Sequence, residues 1–211
     1  EARNLGIPLV YRLADTAAWR GNAGALADIL CWMERFGFNG TNVTHPYKQA
    51  VIPLLDTLSD AARAIGAVNT VVFRDGKRIG HNTDWSGYAA NFQRTLPDAS
   101  LRRVGQVGAG GAAAAVAYAL LSMGAARLDL FDVATERAAA LGDRLGNLFP
   151  EAQVTVATCV EDVIAEASGV VQTSPIGMDS HPGTPFSADL LQSRQWFSEV
   201  IYFPRETELL A

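Results

Sequence analysis

A chain of 211 residues, 49% of them hydrophobic, can bury one large core or two small ones. Its net charge of -5 comes without a basic block of the kind a nucleic-acid backbone requires, so a small molecule is the expected ligand. No apolar run approaches the roughly 20 residues that span a bilayer and no signal segment opens the chain; cysteines without C-x-x-C spacing and histidines without an i, i+4 pair argue against a redox or metal centre.

The first periodic segment runs from Asn22 to Phe36, where Leu26, Ile29, Leu30, Met33 and Phe36 recur at three- and four-residue steps before Gly37, the pattern of an amphipathic helix. A strand is expected over Phe38 to Thr44, and Pro46 then opens a short helix. The stretch "NVTHPYK" therefore sets Lys48 just past a strand end. Ser59 can cap a helix that stops at Gly66. Ala67 to Phe73 is β-rich, Asp75-Gly76 is a strong hairpin signal, and Arg78 to Asn82 is the return strand. That strand delivers Asp84 to a strand-to-helix junction, ahead of a helix with Trp85, Tyr88, Ala89, Phe92 and Leu96 on one face and Pro97 at its close.

From Leu101 the rhythm changes. Arg103 to Val107, a helix through Met123, Leu128 to Phe131, a helix with Ala138, Leu141, Leu145 and Leu148, Val154 to Thr158, Val160 to Ala167, Gly169 to Thr173 and Glu199 to Phe203 alternate as strand and helix units. Such repetition calls for a parallel sheet covered on both faces. The expected architecture is α/β: an N-terminal α/β domain over residues 1–100, then a Rossmann doubly wound domain over 101–211. Cys31 and Cys159 are expected as buried free thiols in the reducing cytoplasm.

Gly108-Ala109-Gly110-Gly111-Ala112-Ala113 follows a predicted strand, opens a helix and fits the G-x-G-x-x-A form of the dinucleotide fingerprint. Gly108 allows the tight turn, Gly110 lets backbone amides approach a pyrophosphate, and the small Ala113 allows the helix to pack closely. Asp132 ends the next strand, near the spacing expected of an acid that hydrogen-bonds the ribose hydroxyls. Its carboxylate would repel a 2'-phosphate, so NAD is expected over NADP. Arg137, on the following helix, either reaches the ribose or adenine or is a solvated charge.

Hydride transfer from a secondary alcohol requires a group that takes the hydroxyl proton. Lys48 and Asp84, each at a strand end in the same half of the chain, are the candidates. Read from spacing alone, Lys48 is equally a surface charge and Asp84 equally a helix N-cap.

The motifs "NVTHPYK", "GAVNTVV", "GHNTDWSG", "VGAGGAAAAV", "TSPIGM" and "YFPRETELL", in this order, resemble the shikimate dehydrogenase family, from about Gly37 to Leu210. The resemblance implies a substrate domain, a Rossmann domain and reversible oxidation at the 3-hydroxyl of a cyclohexane or cyclohexene carboxylate. It implies Lys48 and Asp84 as the catalytic pair, with Thr44 and Asn69 beside them on the substrate's ring hydroxyls. It places Pro175, Ile176, Gly177, Met178 and Val200 beside the nicotinamide, joining Gly108, Ala109, Gly110, Gly111, Ala112, Asp132 and Arg137 as cofactor residues.

"FDVATER" stands where NADP-linked biosynthetic members carry a basic segment, and with "NVTHPYKQ" and "PRETELL" it is similar to the NAD-linked quinate/shikimate branch. Trp85 follows the aspartate where a smaller residue is common, and its bulk is expected to narrow the substrate choice. The family's opening strand, with its Ser-x-Ser or Ser-x-Thr carboxylate anchor, and its closing helices, with a glutamine, have no counterpart found between Glu1 and Ala211. The expected function is oxidation of quinate or shikimate to the 3-dehydro product with NAD, in quinate catabolism, by a monomer or homodimer. The alternatives are an NADP-dependent shikimate dehydrogenase of aromatic amino acid biosynthesis, an aminoshikimate-type relative, and a non-catalytic dinucleotide-binding module.

Overall fold

The structure, a computed structural model, describes residues 2–16, 25–44 and 46–211. The expected helix start at Asn22 and the histidine of "NVTHPYK", His45, lie outside the described residues. Residues 1–37 and 38–211 form two compact units. In the first, α1 (Ala25–Arg35) carries the expected apolar spacing, and Trp32 and Phe36 stack with ring centroids 5.8 Å apart.

The second unit holds two sheets. The first contains β1 (Gly40–Asn42), β2 (Thr57–Leu58), β3 (Thr70–Arg74) and β4 (Lys77–His81) in the order β1-β3-β4-β2. β3 and β4 form the hairpin expected at Asp75-Gly76, with both turn residues at positive φ (53° and 69°). β1 joins β3 antiparallel and β2 joins β4 parallel, so this sheet is mixed. The strand expected over Phe38 to Thr44 is only three residues long; beyond Asn42 the chain turns into α2 (Tyr47–Ala50), which carries Lys48. α3 (Asp60–Ile65) has the predicted caps: Ser59 accepts from the Ala62 amide and Gly66 closes it with φ 70°. α4 (Asp84–Thr95) follows β4.

The second sheet is wholly parallel, in the order β7-β6-β5-β8-β9, from β5 (Val104–Val107), β6 (Arg127–Phe131), β7 (Gln153–Val156), β8 (Gly169–Gln172) and β9 (Trp196–Glu199). The strand order reverses between β5 and β8, the switch point where doubly wound sheets open a crevice. α5 (Gly111–Ser122), α6 (Thr135–Leu148) and α7 (Val160–Ala165) connect the strands. Both faces are covered. Val104, Leu128, Leu130 and Val171 pack with Leu120, Leu141 and Leu145 on one side; Val107 and Val170 pack with Ile164 and Phe186 on the other. Ile65 at the end of α3 and Ala67 just after it belong to the first of these clusters, so α3 packs on the core of the parallel sheet.

The last strand begins three residues earlier than expected, and Val200 lies one residue past it, its amide donating to the Gln172 carbonyl at 3.1 Å. Gly169 explains the shift. Its bare backbone lies under the Trp196 indole in the space a side chain would take, which sets Trp196 opposite Gly169. Asp129 of β6 is buried beneath the sheet. Burial raises its pKa, but donation from Thr155, Arg103 and Arg127 outweighs this and holds the carboxyl below its ordinary range. Cys31 and Cys159 are free and half-buried rather than buried.

Candidate active site

The turn after β1 and the helix after β4 bring Lys48 and Asp84 together. Lys48 Nζ donates to Asp84 Oδ2 at 2.8 Å. The side chains are 20% and 36% exposed, so the pair faces solvent from a partly covered position. Asp84 is the first residue of α4, not its N-cap; Thr83 takes the cap position, without a side-chain cap hydrogen bond. Its second oxygen, Oδ1, accepts from Asn69 Nδ2 at 2.8 Å. Both carboxylate oxygens are thus spent on side chains, and the capping alternative falls.

Asn69 is buried and fully engaged. Its amide also donates to Thr83 Oγ1 (2.9 Å), and its Oδ1 accepts from the Thr83 amide and the Thr70 hydroxyl, each at 3.0 Å. Asn82 accepts from the Asp84 amide at 3.0 Å and donates to the Ala67 carbonyl at 3.0 Å. Thr83, Thr70 and Asn82 were not predicted. The repeat of Asn-Thr pairs at the facing ends of β3 and β4 is the signal that marks them, because buried amides need partners. Thr44 lies exposed in the turn that precedes α2, its carbonyl accepting from the Tyr47 amide.

The second cluster stands at the switch point. Gly108 has φ 108° and opens the turn; an added Cβ there would stand 2.7 Å from Thr173 Oγ1 and 2.8 Å from the Ser174 amide. Gly110 faces open space, and the twelve-residue α5 begins just after it with unpaired amides. That combination fits an anion lying against a helix N-terminus. Ala112 lies on the first turn of α5, and Ala113 is fully buried beneath it, as close packing requires.

Asp132 follows β6 with its side chain 9% exposed. Oδ2 accepts from the Ala109 amide (2.7 Å), while Oδ1 accepts from the Ala134 amide (2.8 Å) and pairs with Arg137 Nη2 (3.1 Å). Arg137 is 60% exposed and reaches Asp132 rather than standing as an isolated solvated charge. Pro175, Ile176, Gly177 and Met178 form the loop after β8, across the switch point from the glycine turn. Two buried glutamines underlie these loops, and sequence reasoning passed over both: Gln106 donates to the Gly108 and Ala113 carbonyls, and Gln172 to the Ser174 and Ile176 carbonyls.

One contact joins the clusters. A Cβ placed on Gly111 would lie 3.8 Å from Lys48 Cβ and 3.9 Å from Lys48 Cδ, so the lysine stem runs beside the first residue of α5. Trp85, by contrast, packs edge-to-face on Tyr118 of α5 at 5.3 Å, against the core. The expected role in narrowing the substrate choice finds no support in that orientation.

A switch-point crevice with a glycine turn, an acid at the next strand end and a lysine–carboxylate pair beside it defines a Rossmann-type α/β protein. The profile of the shikimate dehydrogenase substrate binding domain matches residues 1–71, upstream as well as downstream of the first motif. A quinate/shikimate dehydrogenase (NAD(+)) of Corynebacterium glutamicum is 49% identical over 215 residues, covering 100% of this chain and 76% of the relative. A shikimate dehydrogenase (NADP(+)) of Pseudarthrobacter chlorophenolicus is 47% identical, covering 97% of this chain and 71% of the relative. Among solved structures, quinate dehydrogenase from Corynebacterium glutamicum in complex with NAD superposes with a TM-score of 0.90 at 46% identity, covering 100% of this chain and 76% of that one. The chain belongs to the shikimate dehydrogenase family. Among its described residues, no helix is long and apolar enough to cross a membrane.

Proposed function

We propose that this protein oxidises the 3-hydroxyl of quinate or shikimate to the 3-dehydro product with NAD, using Lys48 and Asp84 as its catalytic pair. The observation that carries the reading is the Lys48–Asp84 contact at 2.8 Å standing beside Gly111 of the fingerprint turn. A proton-handling group and the dinucleotide crevice thereby share one opening. In this reading residues up to about 100 bind the substrate and residues 101–211 bind the cofactor.

A bound nicotinamide would supply the acceptor for the hydride that leaves the carbinol carbon. The chain's own residues handle the oxygen. The hydroxyl proton passes to the Lys48–Asp84 pair as the carbonyl forms, and in the reverse direction Lys48 returns it. Asp84 aims the lysine, and Asn69 aims Asp84 by holding its other oxygen, so the donor geometry is set before substrate arrives. Thr44 holds a ring hydroxyl, and Asn69 reaches one by exchanging its Thr83 Oγ1 bond for the substrate. Gly108 to Ala112 cradle the pyrophosphate, Asp132 and Arg137 meet the adenosine ribose, and Pro175 to Met178 with Val200 flank the nicotinamide. The enzyme works as a monomer or homodimer in the cytoplasm, where Cys31 and Cys159 stay free.

Asp132 is the basis for preferring NAD, since a carboxylate after the second strand of the fingerprint favours ribose hydroxyls and repels a 2'-phosphate. A second reading, an NADP-dependent shikimate dehydrogenase, draws on Arg137, whose exposed guanidinium could leave Asp132 for a phosphate, and on the NADP-named relative. Steady-state oxidation of quinate and shikimate with each cofactor separates the two. The expected result is strong NAD preference with quinate accepted, and a loss of about tenfold or more in that preference in Asp132→Asn. NADP preference with shikimate alone would overturn the assignment. Cofactor binding without turnover of either substrate would leave a non-catalytic module.

A further inference from the structure

The parallel strands β5 and β8 each carry a single polar side chain, a fully buried glutamine: Gln106 one residue before the end of β5 and Gln172 at the end of β8. A buried carboxamide costs free energy unless its donors and acceptor are matched, so its partners indicate what it holds. Gln172 holds one short loop at three points. Its Nε2 donates to the Ile176 carbonyl at 2.7 Å and the Ser174 carbonyl at 3.2 Å, and its Oε1 accepts from the Ser174 amide. Its main-chain carbonyl takes the Val200 amide at 3.1 Å. The next residue ties this loop to the glycine turn. Thr173 Oγ1 donates to the Val107 carbonyl (2.8 Å) and the Gly108 carbonyl (3.2 Å), while Gly108 leaves no room for a side chain against Thr173 and Ser174.

We propose that Gln172 is a positioning residue for hydride transfer: its carboxamide fixes residues 174–176, and with them the 175–178 loop, at the distance from the glycine turn that a reactive nicotinamide requires. The proposal rests on the reading that this loop flanks the nicotinamide. Gln172 touches neither substrate nor cofactor; it acts through backbone that does. Three hydrogen bonds from one rigid strand end replace the freedom of a Ser-Pro loop with a single conformation. Hydride transfer is sensitive to such freedom, because a misplacement on the order of 1 Å costs roughly a hundredfold in rate.

The test uses the full-length enzyme, with turnover expressed per NADH-binding site counted by fluorescence titration. In Gln172→Leu the three loop bonds are lost, and kcat per site is expected to fall about tenfold to a hundredfold while KM for quinate and shikimate changes less than about twofold. A purely structural role would lower the number of competent sites without slowing each. Gln172→Glu serves where the leucine variant does not fold. A buried carboxyl is pushed upward in pKa; protonated it can donate to Ile176, ionised it opposes two carbonyl oxygens. The ratio of variant to wild-type kcat should therefore fall as pH rises.

Wild-type kcat per site in Gln172→Leu, or a pH-independent ratio in Gln172→Glu, overturns the proposal. Met178→Ala tests the underlying reading. If it weakens NADH binding or slows turnover while both Gln172 variants run at the wild-type rate, only the positioning role falls. If it changes neither, the loop does not meet the nicotinamide, and the reading and the proposal fall together.

Discussion

The two halves of the site are built from opposite materials. At the end of the mixed sheet, side chains bond to side chains: Lys48 to Asp84, Asp84 to Asn69, Asn69 to Thr83 and Thr70. At the switch point of the parallel sheet the working surface is main chain, and side chains such as Gln106, Thr173 and Asp132 lie behind it, holding carbonyls and amides in place. The difference follows from what each half must do. Moving a proton needs titratable groups at a fixed distance, whereas gripping a pyrophosphate needs amides and an absence of Cβ atoms. Substitution should therefore hurt the first half by deleting a group and the second by adding one.

The largest effect expected from that contrast is deletion at Lys48. Lys48→Ala should lower kcat for quinate or shikimate oxidation by about a thousandfold with less change in NADH affinity, since only the lysine stem runs beside the start of α5. Asp84→Asn should cost about a hundredfold, and the double variant should be scarcely worse than Lys48→Ala, because the two act as one unit. Additive losses would show that they work separately, and the contrast between the halves would lose its chemical basis.

Next in size is addition at Gly108. Gly108→Ala forces a side chain into φ 108° and against Thr173 and Ser174, so stability should fall by about 1–3 kcal/mol in denaturant unfolding. NADH affinity should fall as well, since the turn can relieve the clash only by moving away from the 173–174 segment. An alanine variant with unchanged cofactor affinity would mean that the turn is less tightly interlocked with β8 than the geometry implies.

How much of this was legible in the sequence differs between the halves for the same reason. The fingerprint reads directly, because glycines, a strand and a following acid are local signals, and Asp75-Gly76 and the caps at Ser59 and Gly66 are equally local. The pairing of Lys48 with Asp84 is long-range, and spacing left it open; only the order of six motifs suggested it. β2 escaped because two residues carry no periodicity, and its place beside β4 is set by distant pairing of Asp56 with the Arg78 amide. The last strand was misplaced because "VIYF" is the more β-rich run, while the register depends on the fit of Trp196 over Gly169. Gln106 and Gln172 were missed because a polar residue at or next to a strand end reads as solvated until its burial is known.

The smallest effect concerns a tie between the halves. Tyr88, one turn into the helix that begins with Asp84, donates to Ser198 Oγ of β9 at 3.2 Å. Burial pushes its hydroxyl up to about 12, with the Ser198 bond offsetting only part of the rise. The sign of the linkage is fixed by that direction. A group whose folded pKa lies above its unfolded value near 10 stabilises the fold fully below pH 10, and loses that contribution as pH climbs from about 10 to 12, where the unfolded chain gives up its proton first. Denaturant unfolding at pH 9 and pH 11 should therefore show wild-type protein losing more stability than Tyr88→Phe, which has no proton to release there. Ser198→Ala should cost only about 0.5–1.5 kcal/mol at pH 8 and leave the alkaline slope in place, because burial rather than the hydrogen bond raises the pKa. Equal alkaline losses in wild type and Tyr88→Phe would mean that the phenol titrates freely. The α4–β9 contact would then be open to solvent, and the two halves would be less firmly joined behind Asp84 than the Tyr88–Ser198 bond implies.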